Sequence, residues 1–303
     1  MKTIFAWLRR VIPAFLILMA VLSCNTAQQD FVPSLESQGI EMDGISNCRQ
    51  LGGYPVGDRH IVADALIRSA NLSGATDADL QKLHDRFHTT MVFDFRSSLE
   101  HNAVADKIIE DCRYIWLPCL EQISKNPPAS APKSGDPAQM AQALLGMLDN
   151  PQIRELAMNM YPMLVFDPEV QANYATFLRE LADLPQGESA LWHCSQGKDR
   201  TGWGAAFLLA CLGAERDLIV KDFELSNTAY ASTVDAIVNK AKEEGRDEQA
   251  ISVIYSLVGV NVQLFEQTLD SIEGRYGSLD EYLAKALGVD DSLKERLRKR
   301  FLQ

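Results

Sequence analysis

The sequence predicts an α/β fold in which a central, mostly parallel sheet is flanked by helices. Short runs rich in β-branched and aromatic residues alternate with stretches whose apolar residues recur at helical spacing. The carboxyl-terminal third of the chain shows helical spacing alone. A chain of 303 residues is long enough for one such core with helical additions, and we expect one core.

The strands are predicted from local composition. Paired glycines at 52 and 53, followed by an alternating apolar run over His60–Ile67, indicate a turn and then a strand or hairpin. Buried strands are expected over Thr89–Phe95 and Arg113–Cys119, which are rich in β-branched and aromatic residues. We interpret Ser189–Cys194, with the sequence SALWHC, as the central strand.

The helices are predicted from capping residues and periodicity. Thr76 with Asp79 fits a capping box, and the apolar residues that follow fall on one helical face. A block of helices precedes the central strand and further helices follow it; the predicted segments are Ala138–Leu148, Ile153–Met163, Glu169–Ala182, Thr201–Leu212, Asp217–Ser226, Ala229–Glu244, Val260–Tyr276 and Ser292–Phe301. The stretch Glu121–Asp136 is rich in Pro, Ser and Ala, which predicts an exposed loop.

The amino terminus has the features of an export signal. Basic residues precede an apolar run from Val11 to Leu22, and the run ends in the sequence VLSC, which resembles a bacterial lipobox. The run is about a dozen residues long, whereas a membrane span needs about 20. We therefore expect a signal peptide at 1–23, lipidation of Cys24 and a tether at 24–46. The protein would be exported to the periplasmic or cell-surface face of a bacterial membrane and held there by its lipid only.

Charge and cysteine content limit the partners. A formal net charge of -12 argues against binding to nucleic acid, so positive potential for an anionic substrate must be local. Apart from Cys24 and Cys194, the cysteines are Cys48, Cys112, Cys119 and Cys211. Their spacing fits no zinc motif, and no metal site is predicted. Disulfide pairing and buried free thiols both remain open.

The segment from His193 to Gly202, HCSQGKDRTG, joins the predicted central strand to a helix that begins near Thr201. Backbone N–H groups of such a loop and of the first helical turn converge, and the helix dipole adds partial positive charge. The segment therefore predicts a cradle for a phosphate dianion, in which Arg200 binds two phosphate oxygens. The same field stabilises the thiolate of Cys194, which makes this residue a nucleophile.

This segment resembles the signature loop of the cysteine-dependent tyrosine and dual-specificity phosphatases. It is most similar to the atypical bacterial branch, whose loop has the pattern His-Cys-x-x-Gly-Lys-Asp-Arg-Thr-Gly. The resemblance extends over a phosphatase domain at 47–303 through the stretches NCRQLGGY from Asn47, IRSANLSGAT from Ile67 and KDFELSN from Lys221. It departs from the family pattern at Cys48 and Gln50 and in lacking a Trp-Pro-Asp acid loop. The resemblance implies hydrolysis of phosphomonoesters through a phosphocysteine intermediate, with neither cofactor nor metal.

The resemblance also assigns roles within the loop. It implies phosphate contacts from Ser195, Gln196, Gly197, Lys198, Asp199, Arg200 and Thr201. Gly197 permits the tight turn, and the Thr201 hydroxyl donates to the sulfur when the phosphocysteine is hydrolysed. His193 orients the loop by hydrogen bonding. For Lys198 two interpretations stay open: a second cation that binds phosphate, and a solvated lysine at the loop tip.

Phosphomonoester hydrolysis also requires an acid for the leaving oxygen and a base for the attacking water. Asp94 ends a predicted strand, and the segment around it resembles the family's Asp-x-Arg-Ser-x-x-Glu element, so Asp94 is the preferred general acid. Arg96 and Glu100 would then brace the site, with a purely structural ion pair as an equal interpretation. Asp199 is the second candidate for the acid, and Asp167 is the third.

Three functions remain open. The first is a phosphatase that acts on phosphorylated protein or on a small phosphoester, and the second applies the same chemistry to phosphoinositides or inositol phosphates. The third is a silent module that only binds phosphate, which would not need a nucleophile. The helices within 120–185 would serve as a lid over the pocket or as ordinary packing helices, because both give the same pattern.

Overall fold

Five strands form the central sheet of the computed structural model, which describes residues 31–122 and 137–303. The strands of the chain are β1 (Arg49–Gln50), β2 (Pro55–Val56), β3 (Arg59–His60), β4 (Leu66–Ser69), β5 (Thr89–Asp94), β6 (Arg113–Trp116) and β7 (Ser189–His193). The order across the sheet is β1-β4-β7-β5-β6, and β2 pairs with β3 separately. Strands β4, β7, β5 and β6 run parallel, while β1 is antiparallel to β4. The predicted α/β fold with a mostly parallel sheet is confirmed.

The middle strand explains where the loop lies. Every residue of β7 is buried, as expected for a strand whose two faces are both covered by other layers. Its register places His193 beside Ser69 of β4 and beside Asp94 of β5. Cys194 follows at once, so the nucleophile predicted from the sequence stands at the carboxyl edge of the sheet, between two neighbouring strand ends.

Helices cover the sheet and continue to the end of the chain. They are α1 (Leu35–Gln38), α2 (Asp77–Gln81), α3 (Ser98–Ala103), α4 (Pro137–Met147), α5 (Pro151–Phe166), α6 (Pro168–Ala182), α7 (Asp199–Leu212), α8 (Arg216–Ala229), α9 (Ala231–Glu243), α10 (Glu248–Leu257), α11 (Val262–Tyr276), α12 (Leu279–Lys285) and α13 (Asp291–Phe301). The Thr76 capping box begins α2, and a π-helical turn over Lys82–Arg86 continues it. All predicted helices are present, whereas the short helices α1 and α3 and the helices α10 and α12 were not predicted.

Three segments differ from the predictions. The run over His60–Ile67, for which a strand or hairpin is predicted, is divided: His60 belongs to the β2–β3 pair, and the chain re-enters the central sheet at Leu66. The buried strand predicted over Arg113–Cys119 is the edge strand β6, which ends at Trp116 and has only exposed and half-buried residues. The tether expected at 24–46 is too long at its carboxyl end, because Ile40 and Ile45 are buried in a core cluster with residues of the sheet. The folded unit accordingly begins at Pro33.

Some predictions concern residues outside the described ranges. These are the signal peptide at 1–23, the lipidated Cys24 and most of the loop at Glu121–Asp136. Within the described ranges, no helix is both long and apolar enough to cross a membrane. The cysteines of those ranges, Cys48, Cys112, Cys119, Cys194 and Cys211, are all unpaired, so free thiols replace the alternative of disulfides there.

The helical block before the central strand has two different parts. Helix α6 is a core helix, because Phe177 packs edge-on against Phe93 at 4.9 Å between ring centroids and lies 5.5 Å from Trp192. Helix α4 and the start of α5 instead share a separate apolar cluster with α9 and α10, through residues such as Leu148 and Val253. The lid interpretation therefore does not extend to Pro168–Ala182.

Candidate active site

The backbone carbonyls of the loop after Cys194 all bond to groups outside the loop. Ser195 O accepts from Asn71 Nδ2 at 2.8 Å, and Gln196 O accepts from the Tyr230 hydroxyl at 2.7 Å. The remaining contacts are Asn47 Nδ2 to Gly197 O at 3.0 Å, Arg68 Nη2 to Gly197 O and Lys198 O at 3.1 and 3.2 Å, and the Tyr174 hydroxyl to Arg200 O at 2.9 Å. These donors turn the loop carbonyls outward.

Outward carbonyls fix the direction of the amides. In a planar trans peptide, the C=O of one residue and the N–H of the next point in opposite directions. The N–H groups of 196–199 therefore face the hollow of the loop. Among the residues that the structure describes, the amides of 195–198 donate to no protein acceptor. Helix α7 begins at Asp199, so its amino-terminal dipole points at the same hollow.

Gly197 allows the loop to make this turn. Its φ of +65° lies in the left-handed region, and a Cβ at this position would come within 2.2 Å of the Ser69 carbonyl oxygen. Both the dihedral angle and the close approach to β4 exclude a side chain. The tight turn predicted for Gly197 is present.

Arg200 is held in place by Glu100. The guanidinium forms a two-pronged contact with this carboxylate, with Nη2 at 2.7 Å from Oε1, and Ser195 Oγ donates to the same oxygen at 2.5 Å. Burial would raise the pKa of Glu100, but Arg200 and the hydrogen bonds bring it well below its ordinary value. Glu100, at the start of α3, therefore braces both ends of the loop, as predicted from the sequence motif.

Cys194 lies near the charged Arg200. Cys194 is 2% exposed. Burial lowers the pKa of Arg200, whereas the nearby Glu100 and Cys194 raise it, and the net pKa lies well above the ordinary value. Arg200 is therefore a permanent cation, close enough to Cys194 for the two groups to interact electrostatically.

Asp199 is buried at the first turn of α7, with its side chain enclosed by polar groups. The Tyr161 hydroxyl donates to Oδ1 at 2.9 Å, and Lys198 Nζ lies 3.8 Å from Oδ2. Burial raises the pKa of Asp199, and the opposing effects of Lys198 and Tyr161 do not restore the ordinary value. A carboxyl group with a raised pKa, in the segment that follows the nucleophile along the chain, suits a proton donor.

Asp94 has a different environment. Its carboxylate accepts three hydrogen bonds from the Arg96 side chain and one from the Arg96 amide, at 2.8 to 3.0 Å. His101 Nδ1 lies 2.9 Å from the same carboxylate. Burial would raise the pKa of Asp94, but the bonds to Arg96 and the neighbouring histidines lower it below its ordinary value. Asp94 is thus ion-paired with Arg96, whereas Asp199, the second candidate for the acid, is buried with a raised pKa.

The Arg96 guanidinium also bonds to Asp106, which the sequence analysis did not single out. Asp94, Asp106 and His193 bring three potential metal-ligand atoms within 4.8 Å of one another. Arg96 joins the two carboxylates, so the protein itself supplies the positive charge at this cluster. The predicted ion pair of Arg96 therefore forms with two aspartates, Asp94 and Asp106.

The side chain of Lys198 bonds to the protein itself. Its ammonium group is buried and donates to the carbonyls of Leu257 and Gly259 at 2.8 and 2.7 Å. These carbonyls lie at the end of α10 and just after it, so Lys198 ties the loop to the carboxyl-terminal helices. Burial lowers the pKa of Lys198. The interpretation as a solvated lysine is wrong, and the predicted phosphate contact of Lys198 stays a prediction.

Three further predicted residues have defined positions. His193 is fully buried, with Nδ1 3.3 Å from the Cys194 carbonyl, and burial lowers its pKa despite Asp94 and Asp106. It is placed to orient the loop. The Thr201 hydroxyl is buried and makes no hydrogen bond with the described residues, so its predicted bond to the sulfur is absent here. Asp167, the third acid candidate, caps α6 by accepting from the amides of Glu169 and Val170.

A buried ionic cluster supports the loop from below. Arg68 Nη1 lies 2.5 Å from Asp222 Oδ2, and Arg49 Nε lies 3.5 Å from Oδ1. Burial raises the pKa of Asp222, but the two guanidiniums bring it below its ordinary value. Arg68, whose pKa burial lowers to about 10, remains charged at neutral pH. The three stretches that carry the family resemblance thus meet in this cluster. They fix Arg68, which donates hydrogen bonds to two carbonyl oxygens of the loop.

A loop of inward amides between a strand-end cysteine and an arginine defines the site of a phosphoric monoester hydrolase. The model of the tyrosine phosphatase family matches residues 40–303, and the chain belongs to that family. A candidate tyrosine-protein phosphatase of Cupriavidus necator is 29% identical over 253 residues, covering 83% of this chain and 85% of that protein. The triple specificity protein phosphatase PtpB of Mycobacterium tuberculosis is 31% identical over 123 residues, covering 38% of this chain and 44% of that protein. The predicted family and phosphatase activity are confirmed.

The requirement for glycine at 197 gives a first prediction. Gly197→Ala is expected to lower kcat/KM at least about 100-fold, since displacing the loop by about 1 Å removes the phosphate geometry. The matched control is Gly187→Ala, where φ is +88° but an added Cβ meets nothing within 4 Å. Both variants carry the left-handed strain of roughly 1–2 kcal/mol, measured by chemical unfolding. Equal kcat/KM in the two folded variants would contradict a close-approach role for Gly197.

Proposed function

We propose that this phosphatase is of the protein-tyrosine or dual-specificity type and hydrolyses phosphomonoesters through a phosphocysteine intermediate. The observation that carries the proposal is the set of outward-bonded carbonyls at 195–198, which turns the following amides toward one point. Those amides and Arg200 would hold the phosphate dianion and the charge that develops in the transition state. The substrate is a phosphorylated protein or a small phosphoester.

The first half of the reaction forms the intermediate. The Cys194 sulfur donates an electron pair to phosphorus, the S–P bond forms, and the P–O bond to the leaving group breaks. Asp199 transfers its proton to the leaving oxygen, which needs an acid that is still protonated when the nucleophile is a thiolate. The raised pKa of Asp199 supports this assignment.

The second half returns the enzyme to its starting state. Asp199, now a carboxylate, takes a proton from water as the water oxygen attacks phosphorus, and the S–P bond breaks. The sulfur leaves as a thiolate. The buried Thr201 hydroxyl, which has no partner among the described residues, would donate to that thiolate as it forms.

The two other functions are less well supported. A phosphoinositide or inositol phosphate substrate was suggested by a second free cation at Lys198, but its ammonium group bonds to carbonyls of the protein. A silent binding module would not need a buried acid with a raised pKa next to a cysteine. We further propose, from the sequence alone, that the protein is exported and anchored through Cys24.

The covalent step can be tested at Cys194. Cys194→Ser is expected to abolish turnover while the variant still binds substrate, because the amide cradle and Arg200 are retained. Rapid quenching of the wild type with radiolabelled substrate is expected to trap phosphate on the protein through an S–P bond. Turnover of the serine variant close to that of the wild type would rule out the covalent mechanism.

The acid can be identified from leaving groups. Asp199→Asn is expected to lower kcat by about 10²–10⁴ on phenyl phosphate and much less on nitrophenyl phosphate, whose better leaving group needs little protonation. It is also expected to remove the fall in activity at high pH, because the acid works only below its pKa. Asp94→Asn is the matched control, with equal effects on both substrates. A leaving-group-dependent defect confined to Asp94→Asn would return the acid role to Asp94.

Anchoring can be tested by labelling cells with radioactive palmitate. The wild-type chain is expected to incorporate label and to fractionate with membranes, whereas Cys24→Ala loses the label because the lipid attaches to that thiol. Cys112→Ala, which removes another thiol, serves as the control and keeps the label. A labelled Cys24→Ala variant would disprove the lipid anchor at this residue.

A further inference from the structure

The hydroxyl of Tyr161 makes a directed hydrogen bond to Asp199. Its oxygen lies 2.9 Å from Asp199 Oδ1, and the backbone N–H of Asn261 donates to the same hydroxyl at 3.2 Å. A phenol has one proton, and because the Asn261 amide occupies an acceptor position, that proton is directed at the carboxyl group. Tyr161 and Asp199 are both buried, so water does not compete for this bond.

Tyr161 is fixed by its surroundings. It belongs to α5 and is fully buried, with its ring edge-on to Trp203 of α7 and to Phe223 of α8 at 6.3 and 5.6 Å between centroids. Burial and the nearby Asp199 raise the pKa of Tyr161 well above its ordinary value, so the phenol stays neutral and remains a donor. Asn261 caps α11 through its side chain, which fixes the amide that orients the hydroxyl.

Three other charged or titratable groups lie near Asp199: its chain neighbours Lys198 and Arg200, and Tyr230 at the end of α8. Lys198 lies 3.8 Å from its second carboxyl oxygen, Arg200 lowers its pKa, and Tyr230 lies close enough for Asp199 to affect the pKa of that phenol. Of these groups, Lys198 is committed to two backbone carbonyls and Arg200 to Glu100. Tyr161 therefore makes the direct side-chain hydrogen bond that sets the rotation of the Asp199 carboxyl group.

We propose that Tyr161 is a positioning residue for the general acid, through which the helical block before the central strand contributes to the chemical step. This inference rests on the proposed acid role of Asp199. The bond from Tyr161 holds Oδ1, which leaves Oδ2 as the oxygen that exchanges a proton with the leaving group and with water. It also stabilises the charged form of Asp199 relative to the protonated form.

Two effects are expected in Tyr161→Phe. Losing a hydrogen bond to the carboxylate raises the pKa of Asp199, so the fall in kcat/KM at high pH moves upward by about half a pH unit or more. Losing the fixed rotation lowers kcat by about 3- to 10-fold on phenyl phosphate and less on nitrophenyl phosphate. The measurement is a pH profile of kcat and kcat/KM with both substrates.

The matched control is Tyr282→Phe. Tyr282 is also fully buried and donates to the Val165 carbonyl of the same helix, α5, at 2.6 Å. This variant removes a buried tyrosine hydroxyl that bonds to α5 without touching Asp199, so its pH profile is expected to match that of the wild type. A profile displaced equally in both variants would show that Tyr161 acts through helix stability and would overturn the proposal.

A second change keeps the test valid if Tyr161→Phe does not fold. Replacement of Tyr161 by 3-fluorotyrosine makes the hydroxyl more acidic and its hydrogen bond stronger, which is expected to move the high-pH limb downward. An unchanged limb in a folded variant of either kind would overturn the proposal. Asp199→Asn separates the acid role of Asp199 from the positioning role of Tyr161. If this variant keeps the fall in activity at high pH, the proposed acid is wrong. If it loses the limb while changes at Tyr161 leave it in place, only the positioning role is wrong.

Discussion

The active site depends on one constraint, the outward bonding of the loop carbonyls after Cys194. A loop with free carbonyls would turn part of its oxygen surface toward the anion and repel it. Here Asn71, Tyr230 and Arg68 belong to distant parts of the chain, and each accounts for at least one of those oxygens. The direction of the amides is therefore a property of the whole fold, although the loop itself is short.

The charged side chains that support this loop are paired with side chains of opposite charge. Asp222 bonds to two arginines behind the loop, and Glu100 neutralises Arg200 at its mouth. Removing Asp222 leaves the buried guanidiniums unpaired, which costs about 3–5 kcal/mol. This arrangement also explains how a chain with a net charge of -12 binds an anion: the positive potential is confined to a few fixed donors.

Sequence reasoning was accurate where the chemistry is local. The central strand, the helix after it, Gly197 and the pairing of Cys194 with Arg200 lie within one continuous stretch, so their geometry follows from strand, turn and helix start. Helix α10 was not predicted because its Ile and Val residues are also common in strands. Packing against α4 and α9 stabilises the helix, and this packing is not visible in the local sequence.

The environments of the titratable side chains could not be predicted, since they depend on partners far away in sequence. Lys198 bonds to carbonyls about sixty residues later, with separations of 59 and 61. Asp199 depends on Tyr161, 38 residues earlier, and nothing in the local pattern around that tyrosine distinguishes it from other core aromatics. The proposal that Asp199 rather than Asp94 is the acid therefore rests on the structure, in which Asp94 is paired with Arg96 and the pKa of Asp199 is raised.

The most direct test of the account is a crystal structure of the wild-type protein with tungstate, a tetrahedral oxyanion. The account predicts tungstate oxygens at about 2.7–3.2 Å from the amide nitrogens of 196–199 and from the Arg200 guanidinium, beside the Cys194 sulfur. An anion held only by side chains, with the loop carbonyls turned toward it, would contradict the account.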